Sequence, residues 1–244
     1  MEMERGTLRQ ILLLTDGCSN SGASPIQMAK QSFKRGVVVN VIGILEQDES
    51  ETDSSFQEIE AIAKAGGGVS QIVYKENLSQ TVQAVTRQAM SQTLQGVVHK
   101  ELQHIFGEER SLIELAPEKR GEVMEVVDDL GESCGLDVLI LVDTSASMRS
   151  KLLTVQDALF DLSMNLQARQ GTNHFSVYQF PHRHDAIGVI HKWASTLSDM
   201  SVIFPRLVMS GMTPTGPAIA QALYEFDQME AGEWMYDDEL REEG

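Results

Sequence analysis

The feature that most constrains this chain of 244 residues is a buried-strand pattern that ends in an acid and two serines. Residues 136–142 are almost all Val, Leu or Ile, with the length of a strand covered on both faces. Asp143, Ser145 and Ser147 follow directly. The apolar residues after them recur at helical spacing: Leu152, Val155, Leu159, Leu162 and Leu166. Asp-x-Ser-x-Ser therefore lies where a strand passes into a helix, and ligands bind at that edge of an open α/β sheet.

Two further segments have a related pattern. Residues 11–15 form a second buried-strand run, which ends in Asp16 and continues through a polar loop to a helix with Ser24 as a candidate N-cap. Residues 211–217 form a turn rich in Gly and Pro just before another helix, and this turn holds Thr213. Acids and hydroxyls thus recur at points where this chain enters a helix.

These side chains offer only oxygen atoms. Asp143 and Asp16 supply carboxylates, and the hydroxyls come from Ser145, Ser147 and Thr213. A hard, all-oxygen donor set suits Mg²⁺, Mn²⁺ or Ca²⁺ rather than a thiophilic metal. The sequence therefore predicts a site for Mg²⁺, or for Mn²⁺ or Ca²⁺, at the strand ends.

Together the three segments resemble the metal-ion-dependent adhesion site of von Willebrand factor type A (VWA) domains. Asp143, Ser145 and Ser147 match the first motif of that site, Thr213 the second and Asp16 the third. The resemblance implies that the Ser and Thr hydroxyls bind the ion directly and that the Asp residues often act through water. It also implies that a carboxylate of a partner protein completes the shell around the ion.

The order of the motifs differs from that of the family, in which Asp-x-Ser-x-Ser comes first and Thr-Asp-Gly last. The chain thus resembles a circularly permuted VWA domain, similar to small stand-alone VWA proteins of spore-forming Gram-positive bacteria. This implies four parts: residues 7–96 as the C-terminal-type half, 97–131 as a helical connector, 132–228 as the N-terminal-type half and 229–244 as an acidic tail.

The expected fold class is α/β, with a Rossmann-like, doubly wound, mostly parallel sheet and a helical hairpin extension. A hairpin within residues 174–193 supplies one antiparallel edge strand. Strands are predicted at residues 10–15, 37–45, 69–74, 136–142, 174–180 and 186–193. Helices are predicted at residues 25–35, 55–65, 78–106, 117–130, 152–166 and 218–227. In the hairpin extension, the apolar face of the second helix would hold Val123, Val126, Val127 and Leu130.

Composition limits the partners. The formal charge of −17 argues against nucleic acid, which needs a basic surface, and against anionic membranes. No apolar run approaches the ~20 residues of a membrane helix, and only two cysteines are present, so a cytoplasmic setting is expected. The acidic tail carries Glu239, Glu242 and Glu243, carboxylates that such a metal accepts, which predicts weak Mg²⁺-dependent self-association.

Three functions are compatible with this pattern. The first is a non-catalytic protein-interaction module that binds a partner's Asp or Glu through the metal. The second is a hydrolase or phosphotransferase that uses the same metal as a Lewis acid. Haloacid-dehalogenase-type phosphotransferases need an acid where Ser145 stands, and no Gly-x-Ser-x-Gly or Walker motif is present. The third is a structural domain with a vestigial site.

Overall fold

The computed structural model describes residues 6–46, 53–106, 117–182, 185–197 and 211–230, with residues 204, 207 and 209. Six strands form one sheet in the order β3-β2-β1-β4-β5-β6. All neighbouring pairs are parallel except β5 with β6. The strands are β1 (Thr7–Thr15), β2 (Val37–Leu45), β3 (Gly67–Tyr74), β4 (Gly135–Asp143), β5 (Asn173–Phe180) and β6 (Gly188–Ala194).

Helices cover both faces of this sheet. In the described ranges the α-helices are α1 (Pro25–Lys34), α2 (Asp53–Ala65), α3 (Leu78–Phe106), α4 (Pro117–Ser133), α5 (Leu152–Leu166) and α6 (Thr215–Glu230). Because side chains alternate along a strand, Leu12 and Leu14 pack on the face of α3 and α5. Ile11 and Leu13 pack on the face of α1, α2 and α6. With both faces covered, the central strands need the near-continuous apolar sequence that they have.

The predicted fold class is confirmed. The strand order is that of a doubly wound sheet, with the antiparallel pair at one edge. Residues 7–74 and 135–194 contribute three strands each, and the two segments meet where β1 pairs with β4. This junction is the topological switch point, where the chain order reverses. The register places Leu14 opposite Val142, so the two strands end side by side.

Local signals explain how α1 begins and ends. The Ser24 hydroxyl accepts a hydrogen bond from the Gln27 N–H at 3.5 Å, and Pro25 is the first helical residue. The helix ends before Gly36, whose φ of +78° is accessible to glycine at little cost. The predicted N-cap is confirmed, and it fixes where the loop after β1 passes into α1.

The helical extension packs on the same face as α5. The α3 helix is 29 residues long, and its Leu94 is buried together with Val127 of α4. Part of the predicted apolar face of α4 is wrong, since Val126 is 51 % exposed. The connection between these helices, residues 107–116, lies outside the described residues.

The acidic tail predicted from the sequence lies largely outside the described residues, which end at residue 230. The structure therefore leaves the tail's predicted self-association as a prediction. Within the described part of the chain, no helix combines the length and the apolar content that crossing a bilayer requires.

Candidate metal centre

Asp143 is the last residue of β4 and is completely buried. Its Oδ2 accepts a hydrogen bond from the Thr15 hydroxyl at 2.7 Å, and its Oδ1 accepts one from the Ser145 backbone N–H at 2.7 Å. Thr15 belongs to the Thr-Asp-Gly strand end, so this contact joins the two sequence-distant motifs. The sequence prediction did not include Thr15, although its place beside Asp16 in that motif was a usable signal.

Burial raises the pKa of Asp143 to about 6. Loss of hydration is the largest cause, the hydrogen bonds from Thr15 and Ser145 oppose it, and the nearby charge of Asp16 adds to it. An ionised carboxylate here is therefore costly in free energy. A divalent cation bound beside Asp143 would offset that cost.

The two serines connect Asp143 to Asp16. The hydroxyls of Ser145 and Ser147 lie 3.2 Å apart, and the Ser147 hydroxyl donates to Asp16 Oδ1 at 2.9 Å. Ser145 is buried and Ser147 is exposed, so the chain of hydroxyls runs from the interior to the surface. A short 3₁₀ turn, Ala146–Ser150, then leads into α5. Four of the five predicted residues thus meet at the switch point.

Lys151 is part of the same cluster, and the sequence prediction missed it. Its ammonium lies 2.8 Å from Asp16 Oδ2, and the two side chains are 0 % and 3 % exposed. Lys151 follows the buried Met148 by three residues and precedes the buried Val155 by four. This helical spacing was a sequence signal that its side chain points inward.

Thr213, the fifth predicted residue, is buried, and its backbone contacts the loop after Asp16. The Thr213 N–H donates to Asn20 Oδ1 at 2.8 Å, and the Thr213 carbonyl accepts from the Asn20 N–H at 3.2 Å. The Ser19 hydroxyl also donates to that carbonyl, at 3.3 Å. The structure therefore brings the Thr213 turn against the loop that begins with Asp16.

That loop is held on its other side by α2. The Ser19 N–H donates to Glu58 Oε2 at 2.6 Å, and the Cys18 thiol lies 3.4 Å from the Ser55 hydroxyl. Cys18 and Cys134 are both free thiols. The contact with Ser55 gives Cys18 an ordinary place in the loop packing.

The donor set fits a hard cation by its chemistry. It consists of two carboxylates and three hydroxyls, all at the C-terminal edge of the sheet or in the adjoining turns. Within the described residues, no three His, Cys, Asp or Glu side chains group as metal ligands. The predicted set has only two acids, so it does not depend on such a group.

Comparison with known proteins finds relatives of this chain. No family model matches it. The uncharacterized protein YabS of Bacillus subtilis (strain 168) is 50 % identical over 239 residues, which cover 98 % of this chain and 97 % of YabS. The crystal structure of an uncharacterized protein from Alicyclobacillus acidocaldarius is similar, with a TM-score of 0.83 and 39 % identity over 93 % of this chain and 96 % of that one. With half of its residues identical over nearly its whole length, this chain belongs to the same family as YabS.

Proposed function

We propose that this protein is a non-catalytic, metal-dependent protein-interaction module. Asp143, Ser145, Ser147, Thr213 and Asp16 would hold Mg²⁺, or Mn²⁺ or Ca²⁺, and an Asp or Glu of a partner protein would complete the shell. The chain would then be a VWA domain in permuted order. The observation that carries the proposal is the convergence of Asp143 and Asp16 from residues 127 positions apart, linked through the hydroxyls of Ser145 and Ser147.

Each residue has a part in this proposal. Thr15 and the Ser145 N–H hold the Asp143 carboxylate in one orientation. Ser147 is exposed and hydrogen-bonded to Asp16, so the surface end of the cluster is where a partner's carboxylate would arrive. When bound, the ion supplies the positive charge that attracts this carboxylate. Burial of Asp143 keeps water from screening that charge.

We assign the site no catalysis. A phosphotransferase of the haloacid-dehalogenase type needs an acid at the place of Ser145, and the structure shows that hydroxyl next to another hydroxyl. We also propose a cytoplasmic setting, because both cysteines are free thiols.

Titration calorimetry with Mg²⁺ and Mn²⁺ tests the metal. We expect the wild type to bind one ion and Asp143→Ala to bind none. Ser147→Ala and Ser150→Ala form a matched pair, since both serines are exposed in the same 3₁₀ turn and only Ser147 belongs to the motif. Ser147→Ala should weaken the binding and Ser150→Ala should not. Equal metal affinity in the wild type and in folded Asp143→Ala would refute the site.

Capture of partners from the native cell tests the interaction. A partner of the proposed kind binds the wild type in Mg²⁺, is released by chelator, and does not bind Asp143→Ala in either buffer. A protein that binds all four samples equally does not use this site.

A further inference from the structure

The buried ammonium of Lys151 requires a physical explanation. Lysine is almost never fully buried unless it is paired, because an ammonium loses much hydration free energy in the interior. Lys151 is 0 % exposed, and its Nζ contacts Asp16 Oδ2 at 2.8 Å. Asp16 in turn accepts the Ser147 hydroxyl with its other oxygen. Lys151 therefore contacts Asp16, a proposed metal ligand, directly. Asp16 in turn connects it to the hydroxyl of Ser147.

The formal charges of the cluster define what Lys151 can do. Asp143 and Asp16 contribute two negative charges and Lys151 one positive charge, so the three side chains sum to minus one. A divalent ion would bring this sum to plus one, which attracts an anion. Without the lysine the sum would be minus two, and the same ion would leave the cluster neutral. The neighbouring ion pair of Lys75 and Glu46 adds no net charge to this count.

We infer that Lys151 is a built-in countercharge that weakens the binding of the divalent ion and strengthens the binding of a carboxylate to the metal-loaded site. This inference rests on the proposed function. The ammonium repels the incoming cation and attracts the incoming anion, and its burial leaves both effects little screened by water and salt. Lys151 is thus a positioning residue that acts through Asp16. It lowers the affinity for the metal and raises the affinity for the carboxylate.

The two affinities should therefore move in opposite directions when the charge is removed. Loss of a merely structural lysine would loosen Asp16 and weaken the metal and the anion together. Loss of a countercharge frees Asp16 for the metal and takes a positive charge from the anion site. The sign of the change in metal affinity distinguishes the two roles.

The test compares wild type, Lys151→Met and Lys75→Met. The two substitutions are matched, because each removes one ammonium from an ion pair 2.8 Å long. The pair of Lys75 and Glu46 is 31 % exposed on both sides, so solvent screens it. Mn²⁺ affinity is measured by titration calorimetry at pH 7.5. Acetate, as the carboxylate probe, is titrated into each Mn²⁺-loaded protein and followed by water-proton relaxation, which falls when acetate displaces water from Mn²⁺.

We expect Lys151→Met to bind Mn²⁺ about tenfold more tightly and acetate about tenfold more weakly than the wild type, a change of ~1.4 kcal/mol in each. Lys75→Met removes the ammonium partner of the Glu46 carboxylate, but this carboxylate is 31 % exposed and screened by solvent, so the variant should differ from the wild type by less than about twofold in both. Circular dichroism establishes that each variant is folded. If Lys151→Met is not folded, Lys151→Gln gives the same comparison, because its amide still donates to Asp16 and carries no charge.

The outcomes separate this inference from the proposed function. A folded neutral variant with unchanged or weaker Mn²⁺ affinity overturns the countercharge role, and so does unchanged acetate affinity. Failure of the wild type itself to bind Mn²⁺ overturns the proposed function and the inference with it.

Discussion

Each end of strand β4 holds a buried acid, and the two acids have different hydrogen-bond partners. At the start of the strand, Asp137 contacts His174 Nδ1 at 2.9 Å. The nearby Arg169 donates to the carbonyls of Gly131 and Cys134 at 2.9 Å each. At the end of the strand, the hydrogen bonds to Asp143 come from the neutral hydroxyl of Thr15 and the Ser145 N–H.

Under the proposed function, Asp137 supports the fold and Asp143 is a ligand of the metal. Asp137 has a histidine partner within the protein, His174. Asp143 is completely buried with a pKa raised to about 6, and its negative charge is only partly compensated by the groups around it. Functional sites commonly contain residues that lower the stability of the folded state. Variants at the two ends should therefore behave in opposite ways.

The largest expected effect is a gain in stability from Asp143→Asn in chelator. The folded-state pKa of about 6 lies above the unfolded value of 3.8. The folded state therefore holds a proton between these pH values that the unfolded state releases. Wild-type stability should fall as pH rises through this window, by at most about 3 kcal/mol above pH ~6. Urea unfolding of both proteins from pH 4 to 7.5 measures the difference, which should vanish near pH 4. Equal stability at every pH would contradict the cost assigned to Asp143.

The second effect is the stabilisation by metal, which Asp137→Asn should keep and Asp143→Asn should lose. At a metal concentration 100 times the dissociation constant, the wild type should gain ~2.7 kcal/mol. Asp137→Asn loses its charged hydrogen bond to His174, about 1.5 kcal/mol, in buffer with or without metal. Thermal unfolding with Mg²⁺ and with chelator gives both numbers. A metal shift that disappears in Asp137→Asn would mean that the two ends are coupled.

Close backbone contacts at each end give a third comparison. A Cβ on Gly216 would lie 1.9 Å from the Ala23 carbonyl oxygen, and one on Gly171 would lie 2.0 Å from that of Cys134. Both changes to Ala should cost about 2 kcal/mol in unfolding free energy, because backbone must move. Only Gly216→Ala separates the Thr213 turn from the Asp16 loop, so only this variant should also weaken Mn²⁺ binding.

Gly211→Ala is the control for this pair, since a Cβ there meets nothing within 4 Å. It should change neither stability nor metal binding. Equal metal affinities in Gly216→Ala and Gly171→Ala would show that the close approach of the two loops is irrelevant to the site.

The smallest effect is expected from reversing the gene order. A chain running from residues 131 to 228, then a short linker, then 7 to 96 keeps all six strands and all five predicted ligands. It lacks most of α4, including the buried Val127, so it should be about 1.5 kcal/mol less stable. It should bind metal as the wild type does. Calorimetry and urea unfolding test this. A soluble, folded product without metal binding would contradict the permuted arrangement.

Sequence patterns predicted the fold well for a local reason. Strands such as residues 136–142 are covered on both faces and read as continuous apolar runs, and helices such as α5 repeat at 3.6 residues. The failures have local reasons too. The sequence predicts that α6 starts at residue 218, whereas it starts at Thr215. The Gly- and Pro-rich turn that indicated a loop includes the first residues of the helix. Val126 is apolar in sequence but 51 % exposed, whereas the adjacent Val127 is buried.

In the candidate site, too, some properties follow from the local sequence and others only from the tertiary structure. The sequence by itself determined the residue types, the strand ends that carry them and the donor chemistry of Asp143, Ser145, Ser147, Thr213 and Asp16. Those properties depend on neighbours within a few positions along the chain.

Only the tertiary structure decided that Thr15 holds Asp143 and that Lys151 neutralises Asp16. The first contact joins residues 128 positions apart and the second joins residues 135 apart. Pairings at such separations depend on the parallel register of β1 with β4. That register comes from packing of the whole sheet between two helical layers, and no local pattern encodes it.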